Sequence, residues 1–264
     1  MSHSILLPRT MEIGRDACRK LPQILKSLGI KKPLIITDDM MVKLGYVDNI
    51  QAILKEAKIS ADVFSDTVPE PTEMSISAGV SQVKAQDYDG LIALGGGSPI
   101  DSAKAISILG KFGGVMRDYK FPRQVDETGL PIIAIPTTAG TGSEVTRFTI
   151  ITDNENNEKL LCVGMGFMPI AAIIDYTLTL SVPPRTTADT GIDAMTHAIE
   201  AYISPKRNAY SDQQALAALR LIGPNIQTAY HDGKDDTARE TMMLGSTLAG
   251  IAFCNSSVAL VHGM

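Results

Sequence analysis

The sequence predicts a doubly wound α/β domain followed by an all-helical region, on three observations. Short, continuous apolar runs alternate with amphipathic stretches over the first two thirds of the chain. Two of those runs open directly into turns rich in glycine and hydroxyl residues. Beyond VPPR (182–185) the strand-like runs stop and only helical patterns remain. Continuous apolar strands separated by helices imply a parallel sheet covered on both faces, because parallel strands need crossovers and helices supply them.

The elements follow in order. PLIIT (33–37) is a compact apolar run ending at Asp38 and Asp39, and VDNIQAILKEA (47–57) spaces Val47, Ile50, Ile53, Leu54 and Ala57 as one helical face. ADVFS (61–65) reads as a strand, EMSISAGVSQVKA (73–85) as a helix, and GLIAL (90–94) and PIIAIP (131–136) as further strands. The paired prolines at 183 and 184 break regular structure and set a domain boundary, with an α/β domain over 1–183 and a helical domain over 184–264. In the second domain TGIDAMTHAIEAYIS, SDQQALAALRLIGPNIQTAY and TARETMMLGSTLAGIAF read as helices, and HDGKDD (231–236) as a loop. KFGGVMRDYKFPRQVDETGL (111–130) also reads as a loop.

Composition narrows the function classes. The 264 residues are 44% hydrophobic, enough for a sizeable core. The net charge of −5 comes from interspersed residues without basic runs, so neither nucleic acid nor an anionic membrane is the expected partner, and a small molecule is. The opening MSHSILLPR lacks a signal-peptide core and cleavage pattern, which points to the cytoplasm. Cys18, Cys162 and Cys254 are odd in number and widely spaced, as suits reduced, packed thiols. Leu244–Val261 is the nearest approach to a membrane span, but Ser246, Thr247, Asn255, Ser256 and Ser257 interrupt it, so it reads as buried helix.

GLIALGGGSPIDSAKAIS joins a strand to Gly95, Gly96 and Gly97 and then to a helix start, with Ser98 as N-cap, Pro99 in the first turn and Asp101 as an acid there. Glycines let backbone N–H groups approach a ligand, and a helix start favours an anion such as pyrophosphate. A tight turn that binds nothing has the same local sequence. PIIAIPTTAGTGSE repeats the arrangement with Thr137, Thr138, Gly140, Thr141, Gly142 and Ser143, and two such turns at carboxyl ends of parallel strands favour a dinucleotide. The usual ribose-binding acid about 20 residues beyond the glycines is missing, since that count reaches Arg117 and Asp118 in the loop. Asp38, ending an earlier strand, is positioned either to accept from a ribose 2′-hydroxyl or simply to face solvent.

GIDAMTHAIEAYI places Asp193 and His197 four residues apart on one helical face. A carboxylate and an imidazole so spaced suit a divalent metal such as iron or zinc, and equally an ordinary Asp–His pair.

GGGSPIDSAKAIS, AIPTTAGTGSEVT, GIDAMTHAIEAYIS and GIAFCNSSVALVHGM, in this order and spacing, resemble the iron-containing (group III) alcohol dehydrogenases. The resemblance covers the whole chain. It implies a dehydroquinate synthase-like fold, NAD in the α/β domain, Fe2+ or Zn2+ in the cleft, a primary alcohol, diol or aldehyde substrate, and a homo-oligomer. It makes Asp193, His197 and His262 metal ligands. Gly96, Gly97, Ser98 and Asp101 become pyrophosphate-turn contacts, Thr137, Thr138 and Thr141 line the second turn, Lys159 contacts the cofactor, and Asp38 favours NAD over NADP. Glu70 stands where similar sequences often carry asparagine.

The family pattern continues past VHGM into a segment with a fourth metal ligand, and this sequence stops before it. The helical domain is therefore expected to be incomplete, with apolar faces at Leu216, Leu219, Leu221, Met242, Leu248, Ile251 and Phe253 partly uncovered. Three readings stay open. They are an NAD-dependent dehydrogenase whose metal sphere is completed by water, an inactive dinucleotide-binding module, and a related polyol-phosphate dehydrogenase.

Overall fold

In the computed structural model, which describes residues 2–263, the strands β1 (Thr10–Ile13), β2 (Pro33–Ile36), β3 (Asp62–Phe64), β4 (Gly90–Gly95), β5 (Ile132–Pro136) and β8 (Ala171–Ile174) form one parallel sheet. Its order is β1-β8-β5-β4-β2-β3, so the chain reverses its direction of travel between β2 and β4. Carboxyl ends of strands flanking such a reversal form the crevice where α/β sheets bind ligands.

Strand alternation feeds two cores. Leu34, Ile36, Leu91, Ala93, Ile132 and Ala134 pack with α4 (Glu73–Ala85) and α5 (Gly97–Phe112) on one face. Ile35, Ile92, Leu94, Ile133 and Ile135 pack with α1 (Leu21–Leu28) and α3 (Tyr46–Glu56) on the other. A short α2 (Asp39–Lys43) leads from β2 into α3. β6 (Phe148–Asp153) and β7 (Glu158–Val163) form a separate antiparallel hairpin.

Several elements depart from the sequence reading. β1 (TMEI), which is too short to stand out in the sequence, is an edge strand exposed at both ends, and its register comes from β8. The 111–130 stretch holds a 3-10 turn at Met116–Tyr119. All three cysteines are free and buried.

The helical half consists of α6 (Pro184–Ile203), α7 (Ala209–His231) and α8 (Asp236–Cys254), and α6 starts at the second of the paired prolines. Ala198, Ala201, Ala215, Ala218, Ala249 and Ala252 line the contact among the three helices, where small side chains let backbones approach. Of the seven residues expected to be uncovered, Met242, Ile251 and Phe253 are buried, and the four leucines are half-buried. The expectation holds for the four half-buried leucines and is corrected for the other three, because α8 turns those side chains inward. Met243 and Ile251 join Ala172 and Ile174 of β8 in one core. The exposed apolar stripe lies on α6 instead, at Ile192, Ile199 and Ile203. Among the described residues, no helix is long and apolar enough to cross a membrane.

The halves are also tied by polar contacts. Buried Arg239 donates to Val182 O (3.0 Å), Gly233 O (2.9 Å) and Thr187 Oγ1 (2.8 Å), which fixes the segment joining them. Asn255, at the end of α8, exchanges two hydrogen bonds with the backbone of Leu6.

Candidate functional site

Asp38 and the two glycine-rich turns follow β2, β4 and β5, three adjacent strands, so the sheet brings them to one edge. The first turn is built by close backbone approach. At Gly95 φ is +146°, and a Cβ there would lie 2.6 Å from Pro99 Cγ. Gly96, not Ser98, is the N-cap of α5, and it offers no side-chain cap, so the helix's first N–H groups stay open toward the crevice. The reading of Ser98 as cap fails because the helix begins at Gly97, two residues earlier than that cap implies.

The second turn lies against the first. A Cβ on Gly97 would come 2.8 Å from Thr141 Cγ2, one on Gly96 would come 3.3 Å from Thr138 Oγ1, and Thr137 N donates to Gly95 O at 3.0 Å. Thr137 is buried, whereas Thr138 and Thr141 are half-buried. Thr137 and Thr138 also line a cleft of about 360 Å3 with Met41, Tyr46, Leu178 and Thr186.

Asp101 is placed differently from the sequence reading. It lies beyond the first turn of α5, and its carboxylate accepts from Ser143 Oγ (2.6 Å) and Ile150 N (3.1 Å), with Lys104 Nζ 3.8 Å away. It therefore joins the two turns to the β6–β7 hairpin from within. Lys104 is fully buried and donates to Ser143 Oγ (2.8 Å), Thr146 Oγ1 (3.3 Å) and Phe148 O (2.6 Å). Burial pushes the Asp101 carboxyl up and the Lys104 ammonium down, and each opposes the other's shift.

Asp38 N-caps α2, accepting from Met41 N at 2.9 Å, and is half-buried. Lys159 sits exposed on β7 and pairs with Glu70 at 3.3 Å. The hairpin docks there through Thr152 N on Pro71 O (2.7 Å), so the two rim residues named separately in the sequence are neighbours.

The helical half supplies the metal-type donors. One ligand atom from each of Asp193, His197 and His262 lies within 4.8 Å of the others. His262 Nε2 is 3.3 Å from Asp193 Oδ1, and His197 Nδ1 is 3.7 Å from Asp193 Oδ2. His197 is buried, its Nδ1 has no hydrogen-bond partner, and its ring stacks between Phe253 and His262, with centroids at 4.4 Å and 4.1 Å. Burial pushes its imidazole down to about 4, against the attraction of Asp193. Hydrogen bonding to Asp193 holds His262 above its ordinary value, against partial burial.

α6 carries this cluster against the second turn. A Cβ on Gly140 would lie 2.6 Å from Thr190 Cβ, and Ala139 packs with Ala194 and Met195. α8 closes the other side, with Gly250 so near Gly142 that a Cβ on Gly142 would lie 2.6 Å from Gly250 Cα.

The family pattern described as iron-containing alcohol dehydrogenase matches residues 8–176, and that of the family's C-terminal region matches residues 187–264. The chain belongs to the iron-containing alcohol dehydrogenase family. It is 38% identical to alcohol dehydrogenase 4 of Saccharomyces cerevisiae over 258 residues, covering 98% of this chain and 68% of the yeast protein. It is 41% identical to long-chain-alcohol dehydrogenase 1 of Geobacillus thermodenitrificans over 263 residues, covering 98% and 66%. The sulfoacetaldehyde reductase of Bifidobacterium kashiwanohense, solved in complex with NAD+, superposes with a TM-score of 0.92 at 30% identity, covering 98% of this chain and 69% of that one. The chain thus spans about two thirds of the length of these relatives.

Two residues of this family member escaped the sequence reading. Lys104 lies within the matched GGGSPIDSAKAIS block, but only packing reveals that it is buried. Glu200 follows His197 by three residues on the same face of α6, a spacing readable in HAIE. Its carboxylate is buried and contacts Val261 and His262.

Proposed function

We propose that this chain is the cofactor- and metal-binding part of an NAD-dependent dehydrogenase acting on primary alcohols, diols or their aldehydes, with residues 184–264 as its metal domain. The observation that carries this reading is the contact of α6 with the second glycine-rich turn, which sets a three-donor cluster beside a crevice suited to a dinucleotide.

The residues fit both groups. At the turns, a Cβ would fill the space between Gly97 and Thr141, and the open N–H groups of Gly97 and Ser98 suit a pyrophosphate. Gly96 keeps that approach clear. Thr138 and Thr141 offer hydroxyls beside it, and Thr137 holds the second turn to Gly95. Asp38, at the end of β2, would accept from a ribose 2′-hydroxyl, and its charge would repel a 2′-phosphate. Lys159 supplies a cation at the rim, and Asp101 holds the two turns together.

For the metal, the fit rests on the buried, unpartnered Nδ1 of His197. Two imidazoles and a carboxylate suit Fe2+ or Zn2+, and Asp193, His197 and His262 would hold the ion. When bound, such an ion polarises an alcohol oxygen and stabilises the alkoxide. Bound NAD+ would supply the hydride acceptor, so that an alcohol would give its aldehyde, NADH and a proton. α6 and α8 flank the second turn and would help to screen a hydride transfer beside it from water.

The test is NADH formation from a series of primary alcohols and diols by the metal-stripped chain, with and without added Fe2+ or Zn2+. Metal-dependent turnover is expected. Calorimetric NAD+ binding without metal binding or turnover would leave only the dinucleotide-binding module.

A further inference from the structure

We propose that Glu200 is a positioning residue that fixes His262 as the Nδ1–H tautomer and so aims its Nε2 lone pair at Asp193 and His197. The proposal rests on the metal site put forward above.

Glu200 is only 2% exposed, and charged side chains are rarely buried unless paired. Among the described residues, its only ion-pair partner is His262. Val261 N donates to Oε1 at 2.5 Å, His262 N donates to Oε2 at 3.4 Å, and Oε2 also contacts His262 Nδ1. The carboxylate is thus occupied by the segment that carries the third donor.

Both carboxylate oxygens already accept from backbone N–H groups of this segment, so Oε2 meets Nδ1 as an acceptor and the proton between them lies on Nδ1. When the ring is neutral, the proton it has given up is the one on Nε2, shared with Asp193 Oδ1 at 3.3 Å, because the Nδ1 proton has the closer partner in Glu200, and the lone pair is then on Nε2.

A contact that merely strapped the 261–262 segment to α6 would need only the two backbone N–H groups. The bond to Nδ1 sets the tautomer as well, and the ring's stacking on His197 at an interplanar angle of 15° fixes its plane. Asp193, His197 and Glu200 fall at i, i+4 and i+7, one face of α6. The first two supply donors, and the third orients the donor that α6 does not carry. Carboxylates behind ligating histidines have this effect, and their loss typically weakens metal binding about 10–100-fold.

The test titrates the full, metal-free chain with Co2+ and follows the visible absorption of the bound ion, comparing the wild type with Glu200→Gln. Glutamine keeps the volume and one acceptor for Val261 N–H, but presents an NH2 group to Nδ1. The variant is expected to bind Co2+ about 10–100-fold more weakly, with a shifted band and an unchanged melting temperature of the metal-free form. Equal affinity and an identical band would overturn the positioning role. Absence of Co2+ binding by the wild type would overturn the metal site itself, and the proposal with it. If the variant does not fold, the wild type decides. Nitrogen-15 spectra of its four histidines, at about pH 9, well above the ordinary imidazole pKa, are expected to show His262 protonated at Nδ1, with the signal assigned by its loss in His262→Asn. Protonation at Nε2 would refute the proposal.

Discussion

The α/β half and the helical half meet at one cleft but contribute to it in opposite ways. In the α/β half the crevice-facing surface is backbone and small side chains, and behind it Asp101 and Lys104 are spent on one another and on neighbouring hydroxyls. Asp101, Lys104, Ser143 and Thr146 form a satisfied network beneath the two turns. In the helical half the surface is made of side chains, and one buried polar atom, His197 Nδ1, has no partner. A site built from backbone is complete before its ligand arrives, whereas a site built from donors carries polar groups that only the ligand satisfies.

The difference predicts opposite signs for removing a buried polar group. Lys104→Met strands the carbonyl of Phe148, the hydroxyls of Ser143 and Thr146 and the Asp101 carboxylate in the interior. Removing one partner of a buried ion pair costs about 3–5 kcal/mol, and that loss is expected in urea unfolding of the metal-free chain. A cost below about 1 kcal/mol would show that the network is not what holds the turns together.

His197→Phe is the counterpart in the helical half. The ring still stacks on Phe253, and the unpartnered Nδ1 is gone. Relief of a buried unsatisfied group is worth about 1–3 kcal/mol, so the metal-free chain is expected to hold its stability or gain about 1 kcal/mol. Metal binding is expected to fall at least about 100-fold with the loss of a ligand. Destabilisation comparable to that of Lys104→Met would erase the contrast between the halves.

A smaller effect probes the backbone site. Gly97→Ala sets a methyl 2.8 Å from Thr141 Cγ2, so the two turns must part by a few tenths of an ångström. A stability loss of about 1 kcal/mol and weaker NAD+ binding by calorimetry are expected. Thr141→Ser removes the methyl in the way, and the double variant is expected to recover part of both losses. Additive effects would mean that the turns do not act through this contact.

The same contrast explains what was legible in the sequence. Glycines before a helix are conspicuous because few residues tolerate a φ such as the +146° of Gly95, so both turns were readable from composition and order. Asp193 and His197 were readable because a helix converts spacing into proximity. Ser98 was misassigned as the cap because the helix can start on glycine, and the local pattern does not tell which of four small residues begins it. Asp101 looked like a ligand contact because its inward partners, Ser143 and Ile150, lie more than 40 residues away. Edge strand β1 is silent for a related reason, since its four residues become a strand only through pairing with the distant β8, whereas the β6–β7 hairpin is a local pairing that the sequence reading passes over.

The mildest test concerns a side chain in the backbone-built half. Asp38 caps α2 through Met41 N and sits at the end of β2, the strand next to the one that enters the first turn. Its two duties separate in Asp38→Gly, because glycine at an N-cap costs only a few tenths of a kcal/mol. Stability is therefore expected to hold while the repulsion of a 2′-phosphate disappears. The ratio of NADP to NAD affinity is expected to rise about tenfold, equivalent to about 1.4 kcal/mol, as read by titrating both cofactors into variant and wild type. An unchanged ratio with intact folding would confine Asp38 to capping α2. Cofactor choice would then lie in the backbone path of the crevice, extending the contrast between the halves to the one carboxylate now assigned a ligand there.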